Sequence, residues 1–195
     1  IDMTALHPGN TFGNPRLGIF HQALFEHTAG QLASAVRKAG ERLTPVVAGS
    51  TTVSIPDRNR NRRRAGAPHD PALTVTRVDT AEGRPLAVLV NWTAHPTFMG
   101  EEDMLFSGDW PGQLQRTLEA LIGSGVTAMF YNGAEGDQSP TPPAVAGGSN
   151  WERAEVYGRD LGLRAWRVWE RTQPREVKTL SYHSVLIPLP KRQWH

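Results

Sequence analysis

No cysteine occurs among the 195 residues, which excludes disulfides and thiolate metal sites while leaving the redox compartment open. Any metal must then be held by imidazole, carboxylate, phenolate or carbonyl groups. No apolar run comes near the roughly 20 residues that a membrane-spanning helix needs. The chain opens Ile1-Asp2-Met3-Thr4, with neither the basic start nor the apolar core of a signal peptide. Net charge is also scarce, +2 from 21 basic and 19 acidic residues, although the isoelectric point is about 9.3. What is present is 38% hydrophobic residues and a mean hydropathy of -0.43, which fit a globular protein. The length suits one domain with a real core.

Apolar periodicity orders that length into helices and strands. Leu17, Phe20, Leu24, Leu32, Ala35, Ala39 and Leu43 mark an amphipathic helix of about 25 residues. Val46 to Ile55 is rich in β-branched residues and reads as a strand. Leu73 to Val78 alternates, Ala81-Glu82-Gly83-Arg84-Pro85 is a turn, and 86–93 completes a hairpin. A second helix opens near Asp109, a candidate N-cap, with Pro111 in its first turn and Leu114, Leu118, Leu121 and Ile122 inward. Residues 126–131 form a strand, 132–149 an irregular loop, and 150–171 a third helix with Trp151, Ala154, Leu161, Ala165 and Val168 inward. A last strand is expected from about Val177 to Leu189, and the first residues look like the end of another. The order β-α-β-β-β-α-β-α-β predicts an α/β fold, a mixed β-sheet core flanked by helices. With strands at both ends, the chain reads as one partial domain, residues 1–195, cut from a longer protein.

Two loops concentrate chemistry. The apolar strand Leu86-Ala87-Val88-Leu89-Val90 runs into Asn91-Trp92-Thr93-Ala94-His95-Pro96-Thr97, which delivers an imidazole to a strand end, where α/β sheets place ligand sites. A second strand feeds Asn132-Gly133-Ala134-Glu135-Gly136-Asp137-Gln138-Ser139-Pro140. Its glycines offer a tight turn on which backbone amides could serve as an oxyanion hole beside Ser139; the plainer alternative is a turn using Asp and Ser for local hydrogen bonds. His7 ends a short possible strand and could share a zinc ion with His95. His21, His27, His69, His183 and His195 show no pairing logic. The basic run Arg58-Asn59-Arg60-Asn61-Arg62-Arg63-Arg64 has no interleaved aromatics, so a solvated loop is expected and no nucleic acid partner, with room for one arginine to turn inward.

Taken together, these segments resemble the neutral/alkaline non-lysosomal ceramidase family, in its N-terminal catalytic domain. Thr4-Ala5-Leu6-His7 looks like the family's Thr-His-Thr-His-Ser-Gly segment, with His7 on the first, zinc-binding histidine; a two-residue shift puts His7 on the second histidine and Ala5 on the zinc position. Gly9 stands where the first register has that second histidine, and the match at Thr4-Ala5 favours this register. Asp57-Arg58-Asn59-Arg60 is similar to an Arg-Asn-Arg segment whose second arginine lines the site. Trp92 to Met99 resembles the segment of the second zinc histidine, and Phe106-Ser107-Gly108-Asp109-Trp110-Pro111-Gly112 the Ser-x-Asp-x-x-Gly that follows. Asn132 to Pro140 resembles the Gly-Asp-x-Ser-Pro loop, whose serine is a nucleophile or an essential polar partner.

The resemblance implies a zinc-dependent hydrolase of a linear amide, ceramide or a similar N-acyl lipid. His7 and His95 would hold Zn2+, and Ser139 and Arg60 would act on the substrate. It further implies that a glutamate and a tyrosine from beyond this chain complete the metal shell. The alternative is a non-catalytic remnant or binding module of the same fold with an incomplete metal site. A lipid amide substrate allows transient contact with a membrane surface, and the family points to a secreted or extracytoplasmic setting.

Overall fold

Sustained alternation of β-branched and polar residues yields long strands here, whereas isolated short strands are held by polar groups. The computed structural model describes residues 21–144 and 148–190. The chain divides into two compact units, residues 1–44 and 45–195. Within the first, α1 spans Gln22–Gly40, shorter than the expected 25 residues; Leu17 and Phe20 lie outside the described residues, as do His7 and the strand expected before it.

The second unit is built on a five-stranded mixed sheet. Its strands are β1 (Val46–Ser54), β3 (Ala72–Thr80), β4 (Pro85–Trp92), β5 (Thr127–Asn132) and β7 (Arg175–Glu176), in the spatial order β5-β4-β3-β1-β7. β3 and β4 form the expected antiparallel hairpin, while β4 and β5 run parallel, joined through α2 (Asp109–Ile122). A second, two-stranded sheet pairs β2 (Asn59–Asn61) with β6 (Gln138–Pro140). The expected α/β architecture with a mixed sheet and flanking helices is therefore the observed one.

Period-2 patterning sorts the faces of the main sheet. Leu73 and Val75 on β3, and Val88, Val90 and Trp92 on β4, are fully buried against Leu114 and Leu118 of α2 and Leu161 and Ala165 of α3 (Asn150–Arg171). The opposite face carries hydroxyls that bond across strands, Ser50 to Thr76 at 2.7 Å and Thr52 to Thr74 at 2.8 Å. α3 begins where Ser149 accepts the Glu152 N–H and Glu152 returns a bond to the Ser149 N–H, a capping box. α2 and α3 approach closely at Gly158 and Gly162, where an added Cβ would sit 2.5 Å from Gln113 Cβ and 2.9 Å from Thr117 Cβ respectively.

Several expectations are corrected. Residues 58–64 are not only a solvated loop, since β2 lies within them. The expected strand 177–189 is absent, because only Arg175–Glu176 pairs, with Val47 and Ala48 of β1; Leu180, Leu186 and Leu189 beyond it are exposed. Trp151 is exposed rather than inward. Asp109 does not cap α2 from outside but is its first residue, in a left-handed conformation with φ 48°, which a short polar side chain tolerates. Its carboxylate accepts the N–H groups of Phe98 at 2.8 Å and Met99 at 3.0 Å. Asp109 thereby ties the segment after His95 to the start of α2.

Candidate active site

Parallel pairing decides which loops meet. Trp92 lies opposite Asn132 across β4 and β5, so both strands release their chains at the same end of the sheet. β4 delivers His95 there, and β5 delivers the loop bearing Glu135, Asp137 and Ser139. The loops pass so closely that a Cβ on Gly133 would collide with Thr93 Oγ1, which requires glycine at that position.

The second sheet brings Arg60 and Ser139 together. They are direct partners in the β2–β6 ladder, flanked by Asn59 with Pro140 and Asn61 with Gln138. Directly opposed residues project to the same face, with Cβ atoms about 4.5–5.5 Å apart. Asn59, Gln138 and Pro140 are buried, while Arg60 is exposed and Ser139 half-buried. Arg60 and Ser139 thus share the outer face and line a cavity of about 380 Å³ with Thr97, Phe98, Pro142 and Arg153. Arg60 Nη1 donates to the Pro140 carbonyl at 3.2 Å, which aligns the guanidinium with β6. Ser139 sits in a strand pair rather than on the tight turn expected for it. Among the described residues its hydroxyl has no hydrogen-bond partner.

His95 does not line that cavity but is tied to its wall. Its N–H donates to the Gln138 carbonyl at 3.4 Å, next to Ser139. Its Nδ1 lies 2.7 Å from the Glu135 carbonyl oxygen. A carbonyl only accepts, so Nδ1 carries a proton, and in the neutral ring it is Nε2 that presents a lone pair. An imidazole fixed in this way by a backbone carbonyl is the usual outer support of a metal-ligating histidine. The Glu135 carboxylate stands beside the free nitrogen, with Oε1 4.0 Å from Nε2. Its other oxygen, Oε2, is buried and has no hydrogen-bond partner among the described residues.

Beneath these groups lies a polar network that motif reading did not single out. The Asn59 side-chain amide donates towards the Gln138 Oε1 at 2.9 Å, the Asp70 carbonyl at 3.0 Å and the Thr93 carbonyl. Its Oδ1 accepts the Arg60 N–H at 2.8 Å. Gln138 Nε2 donates to Asp137 at 2.7 Å and Asn61 Nδ2 to the same carboxylate at 2.7 Å. The Gln138 bond, with Asn61 adding to it, holds the Asp137 carboxyl below its ordinary range against the opposing effect of burial. A usable signal was present: Asn59 and Gln138 alternate with Arg60 and Ser139, so once two site residues face out their neighbours must face in.

The arginine run splits by role. Arg58 turns away from the cavity to α3, donating to Asp160 at 2.6 Å and Asp57 at 2.7 Å; these bonds, the one to Asp160 foremost, raise the guanidinium pKa further. Arg164 joins the same two carboxylates. Tyr157 of α3 fixes the strand start as well, donating to the Arg58 carbonyl at 2.7 Å and accepting from Trp92 Nε1 at 2.9 Å. Burial drives its phenol far above the ordinary range.

The described residues contain no group of three or more His, Cys, Asp or Glu side chains poised to hold a metal. His95 is the one expected ligand among them, and His7 lies outside. No helix among the described residues is long and apolar enough to cross a membrane.

No family model matches the sequence, and no curated protein does. Among solved structures, the chain is similar to the neutral ceramidase from Pseudomonas aeruginosa, with a TM-score of 0.64 and 20% identity over 78% of this chain. A ceramidase solved in complex with C2 is similar at a TM-score of 0.64 and 19% identity, again over 78% of this chain. The chain spans 26% of the length of each. At that identity the likeness is one of fold.

Proposed function

We propose that this chain is part of the catalytic domain of a zinc-dependent hydrolase that cleaves a linear amide in an N-acyl lipid of the ceramide type. The observation that carries the proposal is the direct pairing of Arg60 with Ser139 on the wall of one cavity, next to an imidazole whose free nitrogen suits a metal. The fold shared with two ceramidases supports it.

The donor chemistry fits zinc, since a neutral imidazole held through Nδ1 presents Nε2 as a borderline ligand. His95 and His7 would hold the ion. When bound, zinc polarises a carbonyl and lowers the pKa of its water to about 7. The chain's own residues bind and orient the substrate. Arg60 faces the cavity with no carboxylate partner among the described residues and can take a polar head group or the developing oxyanion. Ser139, its hydroxyl free, can donate to the scissile carbonyl or attack it. No described side chain hydrogen-bonds that hydroxyl to act as its base, which favours the orienting role.

The test measures zinc content and amide hydrolysis side by side. Substituting His95→Ala should remove bound zinc and activity together, while Ser139→Ala and Arg60→Ala should keep zinc and lower kcat/KM by about 10²–10³, the cost of a lost oxyanion donor. Full zinc occupancy in the His95 variant would refute the assignment. A wild-type protein that takes up no zinc would favour the non-catalytic module instead.

A further inference from the structure

We infer that Arg153 forms an oxyanion clamp with Arg60, so that the cavity beside Ser139 takes amides whose amine side carries a carboxylate or a phosphate. The inference rests on the amide reading above and narrows it to one charge class of substrate. It is carried by what lines the cavity. Among the described residues, its wall holds two charged side chains, Arg60 and Arg153, and no carboxylate. Arg60 gives one bond, to the Pro140 carbonyl at 3.2 Å, and the Arg153 side chain gives none among the described residues. A guanidinium offers five N–H donors in a planar fork, so most of this donor capacity stays open. The acids of the neighbouring segments are engaged elsewhere. Glu102 and Asp103 accept the Asn150 side-chain amide at 3.0 Å and 3.1 Å, and Glu152 accepts the Ser149 N–H at 2.7 Å. By contrast Arg58 and Arg164, turned away from the cavity, share Asp57 and Asp160.

Both arginines stand on regular structure. Arg60 belongs to β2, and Arg153 to the first turn of α3, directly behind its capping box. Guanidinium forks match the paired oxygens of a carboxylate or phosphate and hold them by charge-assisted bonds. A neutral head group would leave both without a counter-charge. The rest of the wall is apolar in part, from Phe98, Pro140 and Pro142. The Phe98 ring is held there against Tyr157, 5.5 Å away between centroids. A wall with cations and apolar surface suits an amphiphile, and about 380 Å³ lies within the range of small-molecule sites. Ser139, directly opposite Arg60 in the strand pair, puts a hydroxyl on the same cavity for the amide.

The experiment is calorimetry on the full chain with three probes that share one acyl amide: N-hexanoylethanolamine, its phosphate ester, and N-hexanoylglycine. The wild type should bind both anionic probes about 10-fold or more tightly than the neutral one, the worth of a charge-assisted hydrogen bond, and added salt should narrow the gap. Arg153→Ala, with an unchanged melting temperature, should lose about 10-fold for the anionic probes and leave the neutral amide unchanged. Arg153→Lys should fall between, because it keeps the charge without the fork. Equal affinity for neutral and anionic probes would overturn the inference, and so would an Arg153→Ala variant that keeps the preference. Inorganic phosphate binding as tightly as the phosphate ester would refute the amphiphilic part. Binding is read without turnover, so a chain that prefers the anionic probes but hydrolyses none would sink the hydrolase reading alone.

Discussion

Replacing Asn59 by alanine tests whether the candidate site is held by the polar network beneath it. The side chain is 2% exposed and meets three acceptors and one donor. Alanine strips the donors from the Thr93 and Asp70 carbonyls and the acceptor from the Arg60 N–H. Gln138 Oε1 fares better, since it keeps the Asp70 N–H at 3.1 Å. Leaving a buried polar group unpaired costs about 1–3 kcal/mol, so the stranded carbonyl of buried Thr93 alone implies a loss of that size, while the Asp70 carbonyl, on an exposed residue, can turn to water. A water entering the space vacated by the amide would move the result to the lower end. That is a large part of the 5–15 kcal/mol typical of a whole domain. Urea unfolding followed by the fluorescence of buried Trp92 and Trp110 measures it, with an unchanged m-value certifying the comparison. Asn59→Asp should cost at least as much, because a carboxylate offers the three acceptors no proton. A loss below about 1 kcal/mol for alanine, or an aspartate variant as stable as the wild type, would refute the reasoning.

Gly158→Ala sets helix propensity, which favours alanine by about 1 kcal/mol, against a Cβ pressed 2.5 Å from Gln113 Cβ and onto the Trp110 carbonyl. Overpacking of about 1–3 kcal/mol or more should win, giving a lower melting temperature, whereas a higher one would mean that α2 and α3 do not approach this closely. The Ser149 N–H and hydroxyl lower the Glu152 pKa from its ordinary value of 4.5, so its contribution is present above that value and lost as pH falls through the lowered one. Melting temperatures of wild type and Glu152→Gln should therefore converge below pH 4.5; parallel curves down to low pH would contradict the capping role.

Elements with sustained apolar periodicity were legible in the sequence. β1, the β3–β4 hairpin, β5 and α3 fall where alternation or a 3.6-residue stripe places them, because burial on one face sets both pattern and structure. β2 and β6 were not legible. Each has three residues, and the inward positions are Asn59, Asn61, Gln138 and Pro140, three of them polar, so no apolar pattern marks the strands and their partner lies about 80 residues away. The apolar residues after Val177 misled in the opposite sense. They alternate well enough for a strand, but pairing with β1 stops at Arg175–Glu176. Of the site, His95, Arg60 and Ser139 could be named from motifs, and the structure pairs the last two. Glu135 was in view as part of its loop but was assigned no role, since its place beside His95 follows from the parallel register of β4 and β5.

That register has a consequence for how the site responds to change. His95 N–H donates to the Gln138 carbonyl, the Gln138 N–H donates to the Glu135 carbonyl, and the same carbonyl receives His95 Nδ1. The three bonds close a ring through two loops, and Gln138 carries the ring into β6, where Ser139 faces Arg60. A shift of any member therefore moves the imidazole, the carboxylate and the hydroxyl together. Misplacing a reacting group by about 1 Å can cost about 10²-fold in rate. Asn59, although buried behind the cavity wall, holds Gln138 of that ring and the Thr93 carbonyl two residues before His95. Its loss should consequently disturb His95 and the Arg60–Ser139 pair at once, where loss of the Arg60 side chain leaves the His95 ring in place.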